Sequence, residues 1–318
     1  MRSLEILGLE YPENEDDEML KDLKLTHLND LLKDERGNIG YEVTIPGDKD
    51  FVNIEVFTEE IVAMTLQHLK KLAKNQGSGL VNDITITVPS YFTINQRQMV
   101  LDAAHLAGFN VLNLIHENTA AALMYGIDNK NLEFPHKILM VNMGASNLEL
   151  SIVSYTKVYK NGEDTKDRNS TSKGTLAVEV IDEASVSNVG GYAFDMEIVK
   201  IIADRFDSLP QRSGKTSIME NDKILRRLMK EVPRFKEVLS ANKEVPIKLP
   251  EIADGIEIDF VLTRAEFEEK IDHVIQKMSK AFEEILKRTS IEEINEVEII
   301  GKRLEAYPMI LSSDYFLN

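Results

Sequence analysis

An α/β fold is predicted for this chain by short apolar runs that alternate with helical patterns in its central part. The apolar runs are Ile84–Val88, Val111–Ile115 and Ile138–Val141. Runs of this length, rich in leucine and β-branched residues, are typical of strands that are buried on both faces of a sheet. We therefore expect these three strands to be neighbours in one sheet.

The helix predicted between the first two runs has a sequence signal at each end. Thr93 and Gln96 have the spacing of a capping box, in which each side chain accepts a hydrogen bond from the backbone N–H of the other residue at the start of a helix. Gly108 supplies the backbone freedom that is favoured just after the last turn. These signals support a helix, rather than a loop, between the two strands.

The third run leads into a turn of small residues, Gly144 to Asn147, from which a strand at Leu148–Ser154 returns. Small residues leave backbone N–H groups unobstructed, and such a turn suits a phosphate group. Gly190-Gly191 precedes a predicted helix over Phe194–Phe206, where amides and the positive end of the helix dipole can contact an anion. On these patterns alone, an ordinary turn remains the alternative at both places.

Sequence patterns also predict elements outside the central part of the chain. Pro233 is expected to kink or break the long helix that contains it, because proline lacks an N–H donor and clashes with the preceding turn. Residues 160–173 are polar and without periodicity, so a disordered insertion is predicted there. The predicted elements are hairpins at Gly40–Ile45 with Phe51–Phe57 and at Val245–Leu249 with Ile256–Phe260, helices from Thr58, from Asn221 to about Asn242 and from Thr263 to about Leu286, and a strand at Val297–Ile300.

Composition and charge exclude several classes of function. The chain has 318 residues, no cysteine and a net charge of −17, which argues against nucleic acid and anionic membrane as partners. Its apolar runs are far shorter than the roughly 18 residues of a membrane-spanning helix. The sequence contains no HExxH motif, no G-x-S-x-G nucleophile elbow and no Walker phosphate loop.

The central stretch resembles the nucleotide-binding domain of the seventy-kilodalton heat-shock chaperone superfamily. The motifs that carry the resemblance, in the order and spacing of that family, are Val88-Pro89-Ser90-Tyr91-Phe92, Gln96-Arg97-Gln98, Asp102-Ala103-Ala104 and Glu117-Asn118-Thr119-Ala120-Ala121-Ala122. The resemblance implies an actin-like α/β fold, shared with sugar kinases, whose two lobes flank a central cleft. Asn118, Asn142-Met143-Gly144 and Lys236–Asn242 are similar to the large members of the superfamily, and among these to the lumenal glucose-regulated, hypoxia-upregulated class.

The resemblance also implies a division into subdomains. Residues 1–77 correspond to part of a peripheral subdomain of the first lobe and 78–135 to its core. The second lobe comprises a core at 136–190, a peripheral subdomain at 191–270 and a return to the core at 271–318. The resemblance implies that the family's first phosphate loop, and the lysine that helps hydrolysis, lie upstream of Met1, and that the targeting signal and the remainder of the second lobe are not within this chain.

Roles for individual residues follow from the resemblance. Glu117 matches a residue that reaches the water shell of the metal, and Asn142 stands where the family has an aspartate on the metal side, which makes it a weak catalytic candidate. Pro89 and Arg97 match a pair that relays the nucleotide state to a substrate domain; a strand end and a surface helix residue are the alternatives. The implied nucleotide contacts are Gly144, Ala145, Ser146, Gly190, Gly191, Lys236, Ser240 and Gly301.

Within that set, Lys236 and Ser240 match residues that contact adenosine. They are four residues apart and therefore share a helix face, for which a solvated surface is the alternative. Ala145, Ser146 and Asn147 replace two glycines and a threonine of the family, and the segment from Gly301 to Pro308 departs from its glycine-rich pattern. No protein residue is expected to bind a metal ion directly.

The function implied is that of an ATP-binding chaperone of the large heat-shock class. We expect ATP or ADP with Mg²⁺ as cofactors, weak or absent hydrolysis, unfolded proteins as clients, and nucleotide exchange on a smaller lumenal chaperone of the same superfamily. The endoplasmic reticulum lumen is the expected location, with the cytoplasm as second choice. A degenerate, non-catalytic interaction module is the alternative function, and a sugar kinase is disfavoured because no motif for a sugar-pocket aspartate is found.

Overall fold

A computed structural model describes residues 3–14, 17–26, 30–47, 50–77, 79–129, 132–159 and 174–301. Two of the segments discussed above, 160–173 and 302–308, lie outside these ranges. The chain divides into two compact units, Met1–Ala120 and Ala121–Asn318. The division falls fifteen residues before the expected boundary between residues 135 and 136, and the finer subdomains stay predictions.

The first unit contains two small sheets and the helices that pack on them. Strands β1, β2 and β3 form an antiparallel sheet, whereas β4 and β5 pair in parallel. The capping box predicted at the start of α4 is confirmed, because Thr93 and Gln96 exchange both hydrogen bonds. The elements are α1 (Ser3–Ile6), α2 (Glu18–Thr26), β1 (Asp30–Lys33), β2 (Ile39–Pro46), β3 (Phe51–Phe57), α3 (Thr58–Asn75), β4 (Asp83–Val88), α4 (Ile94–Leu106), β5 (Asn110–His116) and α5 (Glu117–Asp128), which crosses into the second unit.

The second unit is built on a four-stranded sheet in the order β11-β6-β7-β8, in which β11 is parallel to β6 and the other pairs are antiparallel. The predicted hairpin of β9 and β10 is confirmed. The elements are β6 (His136–Met143), β7 (Asn147–Val158), β8 (Thr175–Ser187), α6 (Gly191–Asp207), α7 (Asp222–Ala241), β9 (Glu244–Ala253), β10 (Ile256–Thr263), α8 (Arg264–Arg288) and β11 (Glu296–Ile300).

The expectation that the three apolar runs share one sheet is wrong. The strand at Ile138–Val141 lies in β6 and pairs with β7 and β11, whereas the first two runs form the separate pair β4 and β5. Burial differs accordingly: β6 is almost entirely buried, whereas exposed and half-buried residues alternate along most of β4. The apolar runs were too similar in composition to indicate which strands pair.

The expected interruption at Pro233 is also not observed. Helix α7 continues through it from Asp222 to Ala241. Five side chains of α7, Leu225, Leu228, Val232, Phe235 and Leu239, are buried at helical spacing. Burial of this apolar face stabilises the helix enough to offset the hydrogen bond that the proline removes.

Candidate functional site

The turn between β6 and β7 is closed by its own backbone. The N–H of Gly144 donates to the carbonyl of Asn147 at 3.1 Å. Gly144 and Ala145 are exposed, whereas the Ser146 residue is buried. The turn therefore presents its first half to solvent and anchors its second half in the protein.

The first turn of α6 lies directly against this turn. The N–H of Gly191 donates to the carbonyl of Gly144 at 3.1 Å, and the N–H of Tyr192 donates to that of Ala145 at 2.7 Å. The N–H of Gly190 donates to the carbonyl of Ser146 at 3.0 Å. The N–H groups of Gly190 and Gly191, which were expected to contact an anion, thus donate to carbonyl oxygens of the turn. A direct contact between this glycine pair and a phosphate stays a prediction.

This contact fixes the direction of one amide in the turn. In a trans peptide the C=O and the N–H point in opposite directions. Because the carbonyl of Gly144 points at α6, the N–H of Ala145 points away from α6. Within the described part of the chain that N–H donates to no other group, so it is available to a ligand.

Gly190 and Gly301 both pack closely against the backbone at this turn. Neither position has room for a side chain. A Cβ on Gly190 would lie 2.3 Å from the backbone N of Ser146 and 2.4 Å from the carbonyl carbon of Ala145. A Cβ on Gly301, whose φ is +117°, would lie 2.2 Å from the carbonyl oxygen of Met143. Gly301 follows β11, whose last residue pairs with Asn142.

A buried ion pair supports the start of α6. The Nζ of Lys236 lies 2.5 Å from Oδ1 of Asp195, and the two side chains are only 5% and 2% exposed. The same Nζ donates to the carbonyl of Gly191 at 2.7 Å. The alternative of a solvated face is therefore wrong for Lys236, and the contact with adenosine stays a prediction.

Ser240 and Asn142 lie close in sequence to this assembly. Ser240 is half-buried, and its hydroxyl donates to the carbonyl of Glu237 at 2.6 Å in the same helix. Asn142 is half-buried in β6 and lies opposite the buried Glu149 of β7. Because an amide carries no net charge, Asn142 attracts the water shell of a cation less than an aspartate would.

Arg97 lies in the first unit, where it is half-buried near the start of α4. Its Nε donates to the carbonyl of Phe92 at 2.9 Å, and its Nη2 donates to that of Ser90 at 2.9 Å. Nη2 also lies 3.1 Å from Nε2 of His116. Arg97 therefore ties the loop after β4 to the end of β5.

Pro89 and Glu117 also belong to the first unit. Pro89 is half-buried directly after β4, and its carbonyl accepts a hydrogen bond from the N–H of Phe92 at 3.2 Å. Glu117 is half-buried at the first position of α5. The relay and the metal-side roles implied for these residues remain predictions.

Asp195 is the residue of the site that the sequence patterns missed. It lies among apolar residues of α6, between Phe194 and Met196, and it is 1% exposed. The sequence did contain one signal, a single carboxylate in an otherwise apolar helix face. Such a carboxylate indicates a charged partner, because a buried charge requires one. The partner, Lys236, is more than forty positions away and could not be identified from spacing.

The arrangement fits a phosphate group better than a directly bound metal ion. An exposed N–H at Ala145, with close glycine backbones on either side, can approach an oxyanion. In the described ranges no group of three or more histidine, aspartate or glutamate side chains is placed to hold a metal. A search of the same ranges finds no helix with the length and apolar character needed to cross a bilayer.

Comparison with known proteins gives matches along most of the chain. The family model described as Hsp70 protein matches residues 7–304. Heat shock 70 kDa protein 17 of Arabidopsis thaliana is 30% identical over 277 residues, which cover 86% of this chain and 30% of that protein. A heat shock protein homolog of Saccharomyces cerevisiae is 29% identical over 305 residues, covering 93% of this chain and 39% of that protein.

A third relative, the Heat shock 70 kDa protein of Neurospora crassa, is 31% identical over 287 residues, covering 87% of this chain and 41% of that protein. The chain thus spans 30% to 41% of the length of these relatives. The family match confirms the actin-like α/β fold of a nucleotide-binding domain. The chain belongs to the Hsp70 protein family.

Proposed function

We propose that this chain is the ATP-binding part of a molecular chaperone of the large heat-shock class. In this proposal it binds ATP or ADP with Mg²⁺, hydrolyses ATP weakly or not at all, and promotes nucleotide exchange on a smaller lumenal chaperone of the same superfamily. The whole protein binds unfolded clients. The observation that carries the proposal is the turn at Gly144–Ser146, which α6 supports from one side and which presents the N–H of Ala145 to solvent.

The turn is suited to phosphate for an electrostatic reason. The chain carries a net charge of −17, so its long-range field repels a nucleotide. Binding must then come from short-range donors, and a fixed backbone N–H is such a donor because it needs no reorganisation. The glycines at 190 and 301 let the chain approach the turn closely and hold that donor in place.

Weak hydrolysis is proposed because of Asn142. Phosphoryl transfer depends on neutralising the charge that spreads over the phosphate oxygens. A bound Mg²⁺ would supply that neutralisation. The carboxamide of Asn142 contributes no negative charge toward the water shell of that ion.

Calorimetry with ADP and Mg²⁺ tests the proposal. Ala145→Asp places a carboxylate at the exposed turn, where it repels a phosphate without disturbing the core. We expect micromolar affinity for the unaltered chain and at least a tenfold loss in this variant. Ser213→Asp is the control, since Ser213 is an exposed loop residue of the same unit, and it should leave the affinity unchanged.

Three results would contradict the proposal. Equal affinities for the unaltered chain and Ala145→Asp would place the nucleotide elsewhere, and absence of binding would remove a nucleotide function altogether. Robust phosphate release from ATP by the purified chain would refute the proposed weakness of hydrolysis. Exchange activity is measured as the rate at which a smaller chaperone releases a labelled nucleotide, which should rise when this protein is added.

A second candidate is a non-catalytic interaction module that uses the same fold as a surface. It is favoured by Asn142 and by the occupation of the first α6 amides by carbonyl oxygens. In that case the chain binds its partner chaperone with the same affinity in the presence and absence of ADP. The proposed function instead requires that ADP changes this affinity.

The proposed location is the endoplasmic reticulum lumen, with the cytoplasm as second choice. The support is the similarity of Asn142-Met143-Gly144 and Lys236–Asn242 to the lumenal class of large chaperones. Fractionation of cells, followed by detection of the natural protein with an antibody, distinguishes the two compartments.

A further inference from the structure

The first unit carries a groove that the proposed function does not use. It has a volume of about 300 Å³ and lies between the C-terminal half of α3 and the segment that leads into β4. Lys70, Lys71 and Lys74 line one side, Leu80 and Val81 line the other, and Ala107 contributes to the lining. The groove thus combines clustered positive charge with an apolar surface.

The lysines form a positive cluster in a chain that is acidic as a whole. Lys70 and Lys74 are four positions apart on α3, and Lys71 and Lys74 are three apart, so all three lie on one side of the helix. Lys71 and Lys74 are exposed, and no acidic side chain of the described ranges pairs with either. Their charge is therefore available to a ligand.

Lys70 has a fixed position at the groove. Its Nζ donates to the carbonyl of Gly108 at 2.6 Å and lies 4.5 Å from the centroid of the Phe109 ring. Lys74 is in the last turn of α3, where one positive charge compensates roughly half a negative charge from the helix carbonyls. Lys70 and Lys71 add positive charge beyond what is needed to compensate the helix end. The helix dipole alone therefore does not account for the cluster.

The opposite side of the groove is apolar and unusually exposed. Leu80 is 80% exposed although it lines a concave surface with Val81. A ligand that covers such a side chain removes apolar surface from water, and this burial favours binding. A small inorganic anion would use the lysines and leave Leu80 in water.

We propose that this groove binds an acidic peptide segment of another protein, with carboxylates on the lysines and one large apolar side chain against Leu80. Charge complementarity selects the acidic segment, because the groove is positive and carries no acidic lining residue. The apolar contact gives the segment its register in the groove. This inference is independent of nucleotide binding.

The test uses fluorescence anisotropy with short labelled peptides and the full chain. One peptide contains glutamates and a single leucine, and a second has lysines in place of the glutamates. The first should bind, more weakly as salt is added, because exposed charges are screened over about 10 Å at 0.1 M ionic strength. The second should not bind.

Two variants and a matched control locate the binding. Lys71→Glu with Lys74→Glu should weaken binding at least tenfold, and Leu80→Gln should weaken it several-fold. The control is Lys277→Glu with Lys280→Glu, exposed residues at the same spacing on α8. It changes the net charge equally and should leave the affinity unchanged.

Each contrary result overturns the proposal. An equal loss in the control would show that only net charge matters. Full affinity in Leu80→Gln, together with displacement of the peptide by tripolyphosphate, would identify a site for inorganic phosphate instead. Absence of peptide binding at low salt would remove the groove as a peptide site.

Discussion

Gly190 lies so close to the β6–β7 turn that its replacement tests the packing of the candidate site. A methyl group at this position would clash with three backbone atoms, and backbone cannot rotate away as a side chain can. We predict that Gly190→Ala lowers the free energy of unfolding by about 2 kcal/mol. Urea denaturation followed by circular dichroism measures this change.

Gly144→Ala is the matched control for that prediction. Nothing lies within 4 Å of a Cβ at Gly144, which is exposed in the same turn. Its unfolding free energy should therefore change by less than about 0.5 kcal/mol. Equal effects of the two substitutions would show that α6 does not pack against the turn as described.

The buried pair of Lys236 and Asp195 makes a second prediction at the residue scale. Lys236→Met removes the positive charge and leaves a buried carboxylate unpaired, which should cost about 3–5 kcal/mol of stability. Adding Asp195→Asn should recover part of the loss, because the remaining side chain is neutral. Urea denaturation of the single and double variants measures the coupling, and strictly additive losses would contradict the pairing.

Helix α7 gives a prediction at the scale of the element. Pro233 cannot donate a hydrogen bond to the carbonyl of Met229, although the helix continues through it. Pro233→Ala restores that donor, and the gain exceeds the added entropy of the unfolded chain. We expect the unfolding free energy to rise by about 1–2 kcal/mol in thermal or urea denaturation. A loss of stability would mean that the ring packs better than the structure indicates.

The C-terminal end of α8 is joined to β8 by a charged contact. Nε of Arg288 donates to Asp182 at 2.6 Å and Nη2 donates to it at 3.0 Å. These hydrogen bonds, and the positive charge of Arg288, lower the pKa of Asp182 below its usual range, against an opposing effect of burial. The folded state therefore holds the ionised form more strongly than the unfolded state does.

This shift predicts a dependence of stability on pH. The contribution of Asp182 is present above the unfolded-state pKa of about 4 and is lost as pH falls through the lower folded-state value. We expect Arg288→Met to lower the melting temperature at pH 7, with a difference that shrinks below about pH 4. A difference that is independent of pH would exclude the carboxylate as its cause.

At the scale of the whole molecule, local patterns predicted most of the helices and hairpins. Thr93 and Gln96 marked the start of α4, and the hairpins of β2 with β3 and β9 with β10 lie where alternation and turn residues placed them. These elements could be predicted because they depend on residues close in sequence. The turn after β6 and the glycine pair before α6 are more than forty positions apart; the family resemblance, not a local pattern, assigned them to one site, and they are hydrogen-bonded to each other.

Features that depend on distant residues could not be derived in the same way. Composition could not show that β6 pairs with β11, since the two strands are separated by more than 150 positions. Helical spacing placed Lys236 on a face but could not show that Asp195 covers it. The direction of the Ala145 N–H follows from the hydrogen bond of the neighbouring carbonyl, which exists only in the folded chain.

The N–H of Ala145 is the proposed contact with the phosphates of a nucleotide. The most direct measurement is a titration of ¹⁵N-alanine-labelled chain with ADP and Mg²⁺, followed by proton–nitrogen correlation spectra. We predict that the Ala145 amide resonance shifts with the calorimetric affinity and that its exchange with solvent slows. Binding of ADP with no change at the Ala145 resonance would show that the phosphates do not contact this turn.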